Sequence, residues 1–556
     1  MPVIEISKSD LEKLVGRDLS IEEIIDLLPR MKCEIERIEG DIIEYEATHD
    51  RPDLFSTEGL ARSLKYFLGI GETSYKLVDE GIKAFNKGVY YRPYVAFAIV
   101  RNVELNNEAI KQIMQLQEKL ATTYGRNRRK ASIGVYDLDT IKLPVYYELA
   151  DIYETRFTPL NETVEMNLYE IIEKTDKGRE FGWIIKDYDK YPILRDSDGR
   201  ILSLAPIINS EDTRVTEKTR NIIIDSTGID PEIVIDMVTL MALNIAERSI
   251  DRKIVYVETV MPDNQVLKAP RSSRGSIKIS VREINRILGV KLNTRTIVDY
   301  LHKMGFTEII EKKRYLEVKI PLHRLDIISW IDISEDIAIA YGYDRLGSES
   351  IELPSTKQSG RVHPVEYLSR VFRKILSSYN FIEVVNYIMS NPTIQLGLFN
   401  LDKKMITVSN PKMEKYTGLR IWLTPGLLET IIYNAEKEKE IRIFEIGDVV
   451  IPDEEYETGA RTERRVGLAI SHDKATLTDG LTTVTTILEQ LGLKPEFRQT
   501  FINGFLEKRT ASIFVDGVEI GFVGEIHPRI LDKLGLTNPV VIAELSLNNL
   551  LNIISR

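Results

Sequence analysis

Two stretches of this chain repeat one another 273 residues apart without a gap, and that repeat constrains the fold more than any other feature. Ile4, Ile6, Ser7, Gly16, Leu19, Asp26, Met31, Glu44, Arg51, Asp53, Ser56 and Gly69 meet Ile277, Ile279, Ser280, Gly289, Leu292, Asp299, Met304, Glu317, Arg324, Asp326, Ser329 and Gly342. A module of about seventy residues that recurs so far along a chain has other structure inserted between its copies. The length, 556 residues, exceeds what one core organises and suggests three or four domains, which 43% apolar content is ample to bury.

The first module, residues 1–77, alternates from Val3 to Ile6 and then turns helical, capped by Ser7 or Ser9. A second helix follows Ser20, with Ile21, Ile24, Ile25 and Leu28 on one face, and stops at Pro29. After the hairpin-like CEIERIEGDIIEYE, Pro52 favours extended backbone before it. Asp53 is the predicted N-cap of a helix whose Leu60, Leu64 and Phe67 face inward and which Gly69 ends. The second module, residues 269–346, predicts a capping box of Ser280 with Glu283 and a second helix start at Asn293. Its strand, helix, helix, strand order is winged-helix-like, an analogy that does not imply DNA binding.

The second copy also carries four carboxylates at spacings that a hydrated cation could use. Asp326 matches Asp53, so its simplest role is the shared cap. Asp332, Glu335 and Asp336 stand where the first copy has Gly59, Arg62 and Ser63. At i, i+3 and i+4 these acids share a helix face, where like charges repel by a few tenths of a kcal/mol per pair. Basic side chains of a partner would offset that, and so would Mg²⁺, which takes one or two carboxylates and keeps water elsewhere. A solvated face with acids near the positive helix N-terminus accounts for the same residues. Cys33 is the only cysteine and the six histidines are scattered, so disulfides within the chain and zinc are excluded and any metal is held by oxygen.

Residues 78–268 form the insertion. Asn107 to Tyr124 reads as an amphipathic helix closed by Gly125 and followed by RNRRK. Arg126, Arg128, Arg129 and Lys130 either complement the helix dipole or contact phosphate. In ILSLAPIINSEDTRVTEKTRNIIIDSTGID, an apolar run leads to Asn209 and Ser210, and a second strand, Asn221 to Asp225, leads to Ser226, Thr227 and Gly228. Small hydroxyls and one carboxylate at neighbouring strand ends line a polar pocket or simply make turns.

Acids outnumber Lys and Arg by 85 to 74, a net charge of −11, so any nucleic-acid contact is local or shared with a partner. The sequence has no signal-peptide pattern at its start and no window of eighteen uncharged apolar residues, which predicts a cytoplasmic protein without membrane association. A linker, residues 347–363, precedes a last domain, residues 364–556, whose short hairpin connections predict an antiparallel sheet. That domain carries no P-loop, no GxGxxG after a strand and no GxSxG.

Four ordered blocks, RPDLFSTEGLARSLKYFLG, GRNRRKASIGVYDLD, APIINSEDTRVTEKTRNIIIDSTGID and HRLDIISWIDISEDIAIAYGYD, closely resemble the β subunit of phenylalanyl-tRNA synthetase in its archaeal and eukaryotic form. The resemblance covers nearly the whole chain. It implies an α+β multidomain protein in which the two small α/β modules flank a tRNA-binding and editing domain, followed by a catalytically degenerate class II synthetase-like domain. The degeneracy fits Arg442 and Glu445, which stand as RxxE where a working motif has RxE. The resemblance further implies an (αβ)₂ heterotetramer whose α subunit attaches phenylalanine to tRNA(Phe) with ATP, while this chain hydrolyses mischarged Tyr-tRNA(Phe). By the same resemblance Leu202, Ser210, Asp225 and Thr227 line the editing pocket, and Asp326, Asp332, Glu335 and Asp336 form a magnesium site shared with α. There is no room for an OB-fold insertion after the first module, and no ferredoxin-like anticodon domain is expected at the end. The alternatives are a tRNA-binding scaffold with a decayed editing site, and an RNA-free α/β regulator.

Overall fold

The two copies of the repeat take the same path. In the first, Val3–Ser7, Lys8–Val15, Ile21–Arg30, Cys33–Glu39, Ile42–Ala47 and Thr57–Leu68 run strand, helix, helix, strand, strand, helix. In the second, Ser276–Ile279, Val281–Leu288, Thr294–Lys303, Ile309–Glu311, Leu316–Lys319 and Trp330–Tyr341 do the same, every helix starting and ending at the repeat offset. Both small sheets put the last strand in the middle. The structure, a computed structural model, describes residues 1–71, 73–347 and 360–555. Most of the expected linker therefore lies outside the described residues.

Local signals explain most helix starts. The Ser7 hydroxyl accepts from the Asp10 N–H, and Ser20 and Glu23 make a reciprocal capping box. Gly16 and Gly289 end the first helices at φ 88° and 69°, left-handed values that glycine adopts without a Cβ penalty. Three expectations are corrected. The helix after Ser20 runs one residue past Pro29. Ser280 begins its helix without a side-chain cap, so no capping box forms with Glu283.

The third correction is that neither Asp53 nor Asp326 caps a helix: the caps are Ser56 and Ser329. Each aspartate is held instead by the arginine two residues before it. Arg51 donates Nε and Nη2 to Asp53, both at 2.8 Å, and Arg324 donates the same atoms to Asp326 at 2.9 and 2.7 Å. A charge-assisted fork is stronger than a neutral cap, and with Asp53 fully buried it is the contact that accommodates the charge.

Between the copies lies a ten-stranded sheet. Its order runs Ile208–Asn209, Ile201–Leu204, Lys190–Arg195, Val145–Asp151, Lys76–Asn86, Lys253–Val260, Tyr94–Val100, Ile222–Gly228 and Ala131–Asp137, with Val266–Ala269 also paired to Lys253–Val260. Two strands from opposite ends of the insertion, Lys76–Asn86 and Lys253–Val260, thus meet in parallel at the sheet's centre. One face packs Ile222 and Ile224 against the almost wholly buried helix Pro231–Ala246. The other gathers Phe97, Tyr136, Tyr147, Leu202 and Ile223.

The chain divides into two compact units, Met1–Glu352 and Leu353–Arg556. The second contains a seven-stranded sheet in the order Ile382–Glu383, Ile441–Pro452, Ala460–Ser471, Val540–Ser546, Val518–Ile526, Phe505–Val515 and Glu496–Gln499. It is antiparallel apart from the edge pair of Ile382 with Ile443. Phe372, Val484 and Leu550 cover one face, while Leu427, Leu428 and Ile431 cover the other. Among the described residues no helix is long and apolar enough to cross a membrane.

Candidate functional site

The strand Ile222–Gly228 is buried along its whole length, so its polar residues cannot be surface turns. Alternation puts Ile223, Asp225 and Thr227 on one face. The neighbouring strand Ala131–Asp137 pairs with it so that Asp225 lies opposite Gly134 and Thr227 opposite Ser132. Gly134 has no side chain to fill this spot. The Tyr136 ring crosses it, and the Tyr136 hydroxyl reaches Asp225 Oδ1 at 2.6 Å. A Cβ on Gly134 would fall 2.3 Å from both that oxygen and the tyrosine hydroxyl.

These residues form one wall of a cavity of about 490 Å³, completed by Ser203, Pro206, Asn209 and Ser210 among others. Burial pushes the Asp225 carboxyl up to about 7, against the Tyr136 hydrogen bond and the charge of Arg92, which both pull it down. Arg92 is itself buried, and burial lowers it to about 10. Its guanidinium donates to the Thr227 hydroxyl at 2.9 Å, the Ser132 hydroxyl at 3.0 Å and the Arg128 carbonyl at 3.0 Å, without a carboxylate in ion-pair contact among the described residues.

Of the four expected pocket residues, the structure places Asp225 and Ser210 on the cavity wall. Ser210 also caps a short turn by accepting from the Asp212 N–H. Thr227 stands behind the wall, 3.0 Å from the Ser132 hydroxyl. Leu202 is fully buried in the cluster around Tyr136, and its carbonyl accepts from the Ser210 N–H at 2.7 Å. Sequence reasoning missed Tyr136, Arg92, Ser132 and Gly134. The available signal was a glycine inside a strand-like run, which marks a close approach.

The basic segment after Gly125 is a left-handed turn, with Arg126, Asn127 and Arg128 at φ 51°, 52° and 62°. Such backbone is costly for non-glycine residues and persists only where the surroundings impose it. Here Arg92 holds the Arg128 carbonyl and the N–H groups of Asn127 and Arg128 bond back to the preceding helix. Arg126 and Arg129 are exposed, and Lys130 is half-buried, 3.9 Å from Asp230. Arg128 departs from the expected phosphate-contacting patch. It is buried, donates to the Pro206 and Ile207 carbonyls at 3.0 and 2.8 Å, pairs with Glu118 and lies 4.0 Å over the Phe181 ring.

The four carboxylates of the second repeat copy do not converge. Arg324 binds Asp326 and also Asp336, at 2.7 Å, in the position where Arg51 of the first copy reaches Ser63. Asp332 accepts from the Ile328 and Ser329 N–H groups at the helix start. Glu335 pairs with Lys32 of the first copy at 3.0 Å. Burial raises Asp336 despite the Arg324 charge, whereas for Asp326 the arginine outweighs burial and holds it below the usual carboxylate range. Among the described residues no three His, Cys, Asp or Glu side chains are grouped as a cation needs, so these four do not by themselves fit a magnesium ion.

A larger groove of about 1020 Å³ lies in the second unit. Its buried charges satisfy one another: Arg465 pairs with Glu463 and Glu544, and Glu544 also accepts from the Leu423 and Thr424 N–H groups. The cavity at Asp225 is the better candidate, because there a buried carboxylate keeps one oxygen without a partner among the described residues.

Three family models match the chain: a B3/4 domain over residues 98–258, a tRNA synthetase B5 domain over 277–343 and a phenylalanyl-tRNA synthetase beta chain CLM domain over 351–547. The phenylalanine–tRNA ligase beta subunit of Thermofilum pendens is 39% identical over 550 residues, 98% of this chain and 97% of that one. That of Pyrococcus furiosus is 35% identical over 561 residues, 99% of this chain and all of that one. A crystal structure of an N-terminal fragment of the phenylalanyl-tRNA synthetase beta subunit from Pyrococcus horikoshii aligns with a TM-score of 0.58 and 40% identity, covering 62% of this chain and all of the fragment.

Proposed function

The chain belongs to the family of phenylalanine–tRNA ligase β subunits, and from that premise we propose that it removes tyrosine wrongly attached to tRNA(Phe), in the cavity at Asp225. It acts as a cytoplasmic partner of an α subunit, in an (αβ)₂ assembly, and α attaches phenylalanine with ATP. The observation that carries the editing reading is the Asp225 carboxylate, buried in the wall of a cavity of ligand-binding size with one oxygen unengaged among the described residues. A buried acceptor left unpaired by phenylalanine, but matched by the hydroxyl of tyrosine, discriminates by about 10⁴.

Among the described residues no cysteine or histidine lines the cavity. The chain therefore binds and orients the ester: Asp225 takes the phenol, and Ser210 positions water or the ester. A hydroxyl of the substrate's own ribose assists the attack. Arg126, Arg129 and Lys130 stand as phosphate contacts beside the cavity, and tRNA binding by the complex weakens with salt accordingly.

The second unit supports α without catalysing. This reading rests on Glu445, which is buried under Arg420 at 2.5 Å and Asn386 at 2.8 Å, whereas Arg442 pairs with Glu440. A magnesium ion on the acidic helix would need ligands from outside this chain, since Arg324, Lys32 and a helix cap engage the carboxylates here.

The test is Asp225→Ala in the αβ complex. Deacylation of Tyr-tRNA(Phe) is expected to disappear while Phe-tRNA(Phe) synthesis continues. Deacylation at the parental rate removes the editing assignment, and its absence from the parent complex favours the decayed scaffold.

A further inference from the structure

A carboxyl tells tyrosine from phenylalanine best when it is ionised, with no proton of its own to compete, and when it presents one particular oxygen. Nothing in Asp225 alone guarantees either condition, because its burial favours the neutral carboxyl, which carries a proton on one of two equivalent oxygens. The groups around it settle both. Tyr136 reaches Oδ1 at 2.6 Å and lies 3.0 Å from the Ser203 hydroxyl. A phenol has one proton, and the shorter contact to a carboxylate takes it. Ser203 must then donate to Tyr136, giving a relay from Ser203 to Tyr136 to Asp225 Oδ1.

We infer that Tyr136, backed by Ser203, is the positioning residue that keeps Asp225 an acceptor and leaves Oδ2 as the oxygen that receives a phenolic hydroxyl; this rests on the editing function proposed above. Three details support it. All three residues line the cavity, so the relay ends where substrate enters. Gly134 is the only residue type that fits, because a Cβ there would overlap both partners of the 2.6 Å bond. The other groups facing Asp225 are Arg92, whose charge favours the carboxylate, and the buried Tyr147, whose hydroxyl donates to the Arg92 carbonyl and so is turned away from Asp225. Tyr136 therefore makes the only direct hydrogen bond to the carboxylate among the described residues.

A hydrogen bond donated to the ionised form lowers a carboxyl pKa, by about one to two units when the acceptor is charged and buried. Removing it should move the pH at which the acceptor form appears, which loss of packing would not do. The experiment measures Tyr-tRNA(Phe) deacylation by the αβ complex from pH 5.5 to 9, as ~ten-fold steps in hydroxide cover the interval, after subtraction of spontaneous hydrolysis. Parent, Tyr136→Phe, Ser203→Ala and Asp225→Ala complexes are compared.

The parent rate should rise through about pH 7. Tyr136→Phe should shift that rise upward by about one to two units, with a preference for Tyr-tRNA(Phe) over Phe-tRNA(Phe) reduced about five- to fifty-fold at pH 7. Ser203→Ala should shift it in the same direction by less. A Tyr136→Phe profile that superimposes on the parent's, or one lowered equally at every pH, overturns the inference while leaving the editing function standing if Asp225→Ala is inactive. Full activity in Asp225→Ala overturns both.

Discussion

At the scale of single residues, function depends on what is missing at position 134. Gly134 leaves room for Tyr136 to cross to Asp225, and that bond sets a carboxylate into a wall where burial opposes its charge. The arrangement costs stability in a definite pH window. In the folded chain Asp225 titrates near 7, against 3.8 as its ordinary value, so the folded state holds the proton more tightly. Folded-state stability therefore falls as pH climbs from about 4 to about 7 and stays at the lower level above that. Asparagine does not titrate and keeps an oxygen for Tyr136. Asp225→Asn should match the parent's denaturant midpoint near pH 4 and exceed it at pH 8 by a few kcal/mol, since each unit is worth about 1.4 kcal/mol. Equal midpoints at both pH values would contradict this. Asp225 and Ser210 entered the expected pocket through the family resemblance, because polar residues after apolar runs read equally well as turns, and Asp225 stands within the strand Ile222–Gly228 and not at its end. Tyr136, Arg92 and Gly134 were not legible, because their role exists only once register sets Gly134 opposite Asp225.

At the scale of elements, the repeat was legible to the residue for its helices, because equal spacing in sequence became equal spacing in structure. Its chemistry was misread at one motif. Arg-x-Asp followed by a helix looks like a cap, yet both copies use it as a buried fork. Capping would make Asp53→Ala cost about 1 kcal/mol. A buried ion pair that loses one partner costs about 3–5 kcal/mol, and that is the loss expected for Asp53→Ala by denaturant unfolding of the purified chain, with less for Asp326→Ala because Asp336 still pairs with Arg324. A cost near ~1 kcal/mol for Asp53→Ala would restore the cap. The copies diverge where packing differs: a Cβ on Gly59 would sit 1.6 Å from the Asp53 carbonyl, whereas its counterpart Asp332 has room to cap a helix. The repulsion expected on the acidic face is offset within the chain, by Arg324 and by Lys32 of the other copy.

At the scale of the whole molecule, the repeat announced an insertion between its copies, and a ten-stranded sheet lies there. The strand order of the inserted sheet could not follow from the repeat, because its central pair joins segments from the two ends of the insertion. The second unit predicts that this chain alone gives no phenylalanine-dependent ATP–pyrophosphate exchange and that adding an α subunit restores it; exchange by the chain alone would refute that. The parallel pair at the sheet's centre also has a consequence during synthesis. Lys253–Val260 lies between Lys76–Asn86 and Tyr94–Val100, so a growing chain that stops short of Lys253 holds two half-sheets with open edges. Such long-range pairing is slow, and unpaired edges invite misassembly. Ribosome-stalled chains ending before Lys253 should stay protease-sensitive from residue 76 to 228, and protection should arrive in one step once Val260 has cleared the exit tunnel, making a strand near the end of the insertion the one that joins its two halves.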